Sequence, residues 1–321
     1  VMEADAERGA RTRALYEQLL APVARQVDAR LADEAHNLPA ELRDMYDCAV
    51  GGGMRFRPCL MYLAYLVCSA GVDGEGGRGG VEGCGSRVGI DSLIQLASAV
   101  ELLHKASLVH DDLIDGDALR RGQQSFHATF GSERAVVMGD LLVAMAHDVA
   151  ERMRPVLPAG VYCQIRFRFN KAHLDLCRGE LLELVAARRE RPLARDYVDR
   201  VIEGKTASLM EQSMAMGAIM AGAPAACVDA LARYGRYMGF VFQTINDINN
   251  LTGFDLDIKG QAMTDLALGR VGYHVLGLEM TAGMEQVGLL ASEIKRVERA
   301  DDGLRLRKLV QKGRLRIWLD G

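Results

Sequence analysis

Apolar residues recur at three- and four-residue steps through most of the chain. Leu15, Leu19, Leu20, Val23, Val27 and Leu31 set this pattern near the start. A helix buries such a stripe along one face, whereas a half-buried strand needs strict alternation. Strand-like alternation is almost absent, and Pro58, Pro155, Pro158, Pro192 and Pro224 fall near helix starts or between helices. The spacing predicts an all-α, single-domain chain over residues 1–321, with about ten or more helices. Residues 71–89, GVDGEGGRGGVEGCGSRVG, break the pattern because so much glycine cannot sustain a helix. They read as a mobile surface loop; a phosphate-cradling loop would end in Lys and Ser or Thr, which are missing. Residues 293–316 alternate charge at helical spacing and read as a solvated amphipathic helix.

With 49% hydrophobic and 26% charged residues, the chain can bury a large core. A net charge of -4 without any long basic run argues against nucleic acid as a partner. Seven cysteines without CxxC spacing read as reduced thiols in a cytoplasmic protein. No run of about 18 apolar residues marks an integral membrane protein, and the first residues lack the apolar core of a signal peptide.

The chemistry concentrates in HDDLIDGDALRRGQQ, from His110 to Gln124. A helix over Leu108 to Leu119 projects Asp111, Asp112 and Asp115 within about 100° of one another. Three carboxylates on one face repel each other unless cations join them, and hard oxygen ligands beside a phosphate suit magnesium. Arg120 and Arg121 follow, placing positive charge where an anion can lie. Most acidic runs are solvated helix ends, but LLHKASLV is apolar up to the first aspartate, so these carboxylates border something buried. His104 lies seven residues before Asp111, nearly on the same face.

AVELLHKASLVHDDLIDGDALRRGQQSFHATFG resembles the first aspartate-rich motif, DDxxDxxxxRRG, of the all-trans polyprenyl diphosphate synthases. GGGMRFRP, GDLLVAMA, GKTASLMEQSMAMGAIMAG and GFVFQTINDINNLTG follow the family's order, so the likeness runs from about residue 40 to about residue 280. It implies a helical bundle of the isoprenoid synthase type with a central apolar cavity, a homodimer, and two or three Mg2+ ions. It assigns metal binding to Asp111, Asp112, Asp115, Asn246, Asp247 and Asn250, and catalysis to Asp111, Asp112, Asp115, Lys205 and Asp247. Substrate contacts fall to Arg55, Arg57, His104, Arg120, Arg121, Lys205, Thr206, Gln243, Lys259 and Arg270. Ala106 and Ser107 stand where bulky aromatics cap the family's chain pocket, so their small size implies a geranylgeranyl or longer chain.

The chain departs from that family in three places. The second motif, FQxxDDxxDxxG, reads Phe242, Gln243, Asn246, Asp247, Asn250 and Gly253, so two of three acids are amides. An amide oxygen coordinates magnesium but offsets less of its charge. Asn246 and Asn250 partly echo the NDxxSxxxE motif of class I terpene cyclases, although Phe254 replaces the acid and Asp255 comes one residue late. In the acceptor motif GGKRxRP the lysine is Met54, a lost phosphate contact costing about 1.5 to 3 kcal/mol. In DLxxGKxTLP the lysine is Arg270, with Lys259 as a further cation.

These departures favour a magnesium-dependent prenyltransferase that ionises an allylic prenyl diphosphate of farnesyl or geranylgeranyl size. Its small-molecule acceptor would be non-isopentenyl, such as an indole-type aromatic. Three alternatives stand beside it: an ordinary geranylgeranyl or longer polyprenyl diphosphate synthase using isopentenyl diphosphate, a class I terpene cyclase, and a non-catalytic regulatory subunit.

Overall fold

The Val23, Val27, Leu31 stripe is buried along one face of α1 (Ala21–His36), while Leu15 and Leu19 ahead of it stay exposed. The computed structural model describes residues 11–70, 89–252 and 264–299. Residues 1–10, residues 71–88, residues 253–263 with Lys259, and residues 300–321 lie outside it. After α1 come α2 (Ala40–Val50), α3 (Phe56–Ala70), α4 (Ile90–Asp115), the short α5 (Phe126–Phe130), α6 (Ser132–Glu151) and α7 (Ala159–Ala186). The chain continues through α8 (Arg195–Ile202), α9 (Ser208–Met220), α10 (Ala225–Thr252), α11 (Thr264–Leu268), α12 (Tyr273–Ala282) and α13 (Met284–Arg299).

Two helices organise the rest. α4 packs along α6 and touches α1, α2 and α3, burying Leu93, Leu96, Val100 and Leu103. α9 is enclosed by α3, α7 and α10, and all of its residues but Glu211 are buried. Met210, Met214, Met216 and Met220 fill this interior as core residues, consistent with the adaptable packing of the thioether.

The helix predicted to reach Leu119 stops earlier. Gly116 adopts φ 71°, the left-handed cap that ends α4 at Asp115. Residues 119–124 then form a hairpin that no strand signal announced, with Leu119–Arg120 (β1) paired antiparallel to Gln123–Gln124 (β2). Its two central residues, Arg121 at φ 55° and Gly122 at φ 77°, both have the positive φ of a tight primed turn. The hairpin folds the two arginines back over the end of α4. No helix among the described residues is long and apolar enough to cross a membrane, and the six described cysteines are free.

Candidate functional site

The last turns of α4 present Asp111 and Asp115 to a cavity of about 600 Å3, whereas Asp112 is buried beside it and does not line it. Arg120 donates to Asp112 and reaches Asp111 Oδ2 at 3.2 Å, so the first arginine of the pair is spent on the acids themselves. Burial pushes the Asp112 carboxyl above its usual value, and the Arg120 charge only partly offsets it. Burial also acts to raise Asp111, but Lys205 and Arg120 outweigh it and hold that carboxyl below the usual range.

Lys205 arrives on a single π turn, Glu203–Ala207, inserted between α8 and α9; such insertions are frequent at functional sites. Glycine is required where this turn meets α7, since a Cβ on Gly179 would lie 2.3 Å from Lys205 N. The close approach delivers Lys205 Nζ to Glu183 Oε2 at 2.7 Å, and to Asp111 Oδ1 and Glu180 Oε2 at 2.9 Å each. Burial works against the ammonium, but Asp111, Glu183 and Glu180 outweigh it and keep Lys205 protonated. Arg270 pairs with Asp115 and lies 3.4 Å from Glu183 Oε2. Burial lifts both Glu180 and Glu183 above the usual carboxylate value, against the pull of Lys205. Glu183 escaped the sequence reading, although it lies one turn after Glu180 on the same helix.

The neighbouring residue ties the first motif to the second. Thr206 Oγ1 donates to Gln243 Oε1 at 2.7 Å, and Gln243 Nε2 donates to Asp247 Oδ1 at 2.8 Å. Asn246 lines the cavity, whereas Asn250 is buried and its Oδ1 takes a long 3.4 Å bond from the Asp265 amide.

A second, basic recess opens on the same cavity. Arg57 is buried, its Nη1 donates to His104 Nε2 at 2.9 Å, and its Nε has no hydrogen bond among the described residues. Burial, reinforced by Arg121, lowers the guanidinium to about 10 despite Glu101. Burial, then the charges of Arg57, Lys105, Arg120 and Arg121, keep His104 neutral. Arg121, at the hairpin tip, lies against Gly53. Arg55, assigned to substrate, points inward: it bonds Asp28 Oδ1 at 2.7 Å and Glu101 Oε1 at 2.8 Å. Its φ of 51° is a left-handed strain that bulky residues tolerate mostly at functional sites. Lys105, which the sequence did not single out, is buried and donates to the Gly51 and Gly52 carbonyls. Met54 lines the mouth of the recess and is 67% exposed. Of the two chain-pocket candidates, Ser107 lines the cavity and Ala106 is packed in the core.

The carboxylates suit a hard divalent cation. Asp247 Oδ2 is buried and accepts no hydrogen bond from the described residues, a state that suits a cationic partner, whereas Asp111 Oδ1 and Asp115 Oδ1 already face Lys205 and Arg270. Among the described residues no three His, Cys, Asp or Glu side chains are grouped tightly enough to hold a metal ion. Arg120, Lys205 and Arg270 neutralise the first-motif acids instead.

The profile of the polyprenyl synthetase family matches residues 39–309. The chain is 29% identical over 219 residues to a short chain isoprenyl diphosphate synthase of Methanocaldococcus jannaschii, covering 68% of this chain and 60% of that one. It is 36% identical over 202 residues to a (2E,6E)-farnesyl diphosphate synthase of Mycobacterium tuberculosis, covering 63% of this chain. The match spans 50% of that relative's own length. A polyprenyl synthase from Caulobacter crescentus, solved with calcium and isoprenyl diphosphate, superposes with a TM-score of 0.70 at 26% identity. That superposition covers 96% of this chain and 85% of the other. A geranylgeranyl pyrophosphate synthetase from Pyrococcus horikoshii gives a TM-score of 0.70 at 26% identity over 95% of this chain and 90% of its own. The all-α architecture expected from periodicity is theirs, and the chain belongs to the polyprenyl synthetase family.

Proposed function

We propose that this protein is an all-trans prenyl diphosphate synthase that joins an allylic diphosphate to isopentenyl diphosphate. The observation that carries this reading is the basic recess. Arg57 and Arg121 have no ion pair with a carboxylate among the described residues, and the nearby Glu101 is engaged by Arg55. A buried guanidinium without a counter-charge is costly, and a diphosphate supplies one. An indole-type acceptor offers only a cation–π contact of about 0.5 to 2 kcal/mol. Charge-assisted bonds to phosphate contribute about 1.5 to 3 kcal/mol each. The aromatic acceptor favoured from Met54 therefore finds no support, either here or in the relatives, whose names are those of prenyl diphosphate synthases.

The allylic diphosphate takes the other side of the cavity, against Asp111, Asp112 and Asp115. Members of the family are generally Mg2+-dependent, and two or three ions held by these acids and by Asp247 would supply Lewis-acid charge to the leaving diphosphate. Lys205, Arg120 and Arg270 are placed to turn from the carboxylates to that diphosphate as its charge builds. Ser107 at the cavity wall leaves room for a geranylgeranyl or longer product. Phe167, Leu174 and Leu181, spaced by seven residues on α7, are exposed apolar side chains and support pairing with a second copy in a cytoplasmic homodimer.

The test is incubation with farnesyl diphosphate, isopentenyl diphosphate and magnesium. Chain extension is expected, and Arg57→Gln should raise the KM for isopentenyl diphosphate at least tenfold while sparing that for the allylic partner. No extension, or prenylation of a supplied indole instead, overturns the proposal.

A further inference from the structure

The second motif reads amides at Asn246 and Asn250, and an imidazole from elsewhere in the chain stands beside its remaining acid, Asp247. His274 Nδ1, from the first turn of α12, lies 3.3 Å from Asp247 Oδ2, and both side chains are 3% exposed. Neither nitrogen of His274 and not Oδ2 of Asp247 makes a hydrogen bond to a described residue. Asp247 Oδ1 is already taken by Gln243, which fixes the carboxylate and leaves Oδ2 facing the ring. Buried donors and acceptors this close, yet unsatisfied, mark a place where something else binds.

The spacing says what. Ligands such as these lie about 2.0 to 2.2 Å from a divalent ion, so two of them at tetrahedral or octahedral angles are about 3 to 3.5 Å apart; the observed separation is 3.3 Å. Gly272 keeps the position clear, because a Cβ there would lie 2.5 Å from His274 Nδ1 and 2.6 Å from Asp247 Oδ2. The donor set differs in kind from the first motif. Asp111, Asp112 and Asp115 offer only carboxylate oxygen, the hard set that suits magnesium, whereas an imidazole nitrogen suits transition ions such as zinc, iron and nickel; manganese, which also accepts oxygen ligands, serves as their paramagnetic probe. The amide oxygens of Asn246 and Asn250, on the same helix as Asp247, contribute no charge, so a nitrogen ligand carries more of the selectivity.

We propose that His274 and Asp247 form the protein's half of a second metal position selective for a borderline divalent transition ion, water and substrate diphosphate completing it. This rests on the metal-dependent synthase reading, but its test does not use turnover. The full chain is loaded with Mn2+ alone and probed by electron spin-echo modulation, which reports nitrogen bound to the metal. Nitrogen modulation is expected in the unmodified protein and should vanish in His274→Gln, with Mn2+ affinity at that position falling about ten- to hundredfold and Mg2+ affinity changing less than twofold. His110 and His104 remain in that variant, so loss of the signal assigns it to His274. Absence of nitrogen modulation in the unmodified protein overturns the proposal, as does a folded His274→Gln that keeps it. If His274→Gln does not fold, His274→Asn replaces it under the same criteria. Failure to extend a prenyl chain under Mg2+ would overturn the synthase reading and leave the nitrogen signal to be judged separately.

Discussion

Lys205 Nζ lies 2.9 Å from Glu180 Oε2, a carboxylate that lines the same cavity. The same ammonium also meets Asp111 and Glu183, so three acids compete for it. Burial raises Glu180 more than Lys205 lowers it. With a folded value above the unfolded one, Glu180 binds more protons in the folded chain between the two, and its ionised form costs stability above that window. Glu180→Gln should therefore raise the melting temperature slightly at neutral pH. It should also free Lys205 for diphosphate, lowering the KM of the allylic substrate about two- to fivefold. Thermal melts and initial rates check both; a tenfold rise in that KM would instead make Glu180 part of the binding machinery.

Met54 lies at the rim of the recess that holds Arg57 and is 67% exposed. Met54→Lys puts an ammonium back at the position where the acceptor motif carries one. Because the site is open to water, the gain should fall below that of a buried contact, about three- to tenfold in the KM for isopentenyl diphosphate. An unchanged KM would show that the diphosphate sits too deep for residue 54 to reach.

Lys105 gives the recess a pH signature. Burial, assisted by Arg55, lowers its pKa from 10.5 to about 8. Between those values the unfolded chain binds the extra proton, so stability rises as pH increases through that window. The neutral amine keeps two N–H donors, enough for the Gly51 and Gly52 carbonyls it serves. Replacing it by Met should remove this component, on the order of 3 kcal/mol, from the difference in unfolding free energy between pH 7.5 and pH 10. Equal pH dependence in Lys105→Met and the unmodified chain would refute it.

Helical spacing made the first motif legible, because Asp111, Asp112 and Asp115 share a face by periodicity alone. The end of that helix was less so: an Asp-Gly step inside a charged run does not say whether the helix passes through it. Gly116 took the left-handed conformation, and the hairpin folded Arg120 back onto Asp112. Arg55 looked like a phosphate ligand by its motif, but its partners Asp28 and Glu101 come from α1 and α4, far away in sequence. His274 and Lys105 carried no signal at all. A lone histidine and a lone lysine acquire meaning only from what tertiary packing sets against them, here Asp247 and two glycine carbonyls.

Adjacent positions on α4 provide the sharpest separation of pocket from core. Ser107 lines the cavity, and its Oγ donates to the His104 carbonyl at 2.7 Å within its own helix. Ala106 is 1% exposed and belongs to the main hydrophobic core. Ser107→Phe should therefore fill the cavity below the reacting carbon and shorten the product by one or more isoprene units, with little change in melting temperature. Ala106→Phe must force its ring into close-packed neighbours, an overpacking that typically costs about 1 to 3 kcal/mol, so it should lower the melting temperature. Chromatography of the hydrolysed products, paired with thermal melts, reads both. A shortened product from a fully stable Ala106→Phe would move the floor of the chain pocket to residue 106 and undo this division of labour.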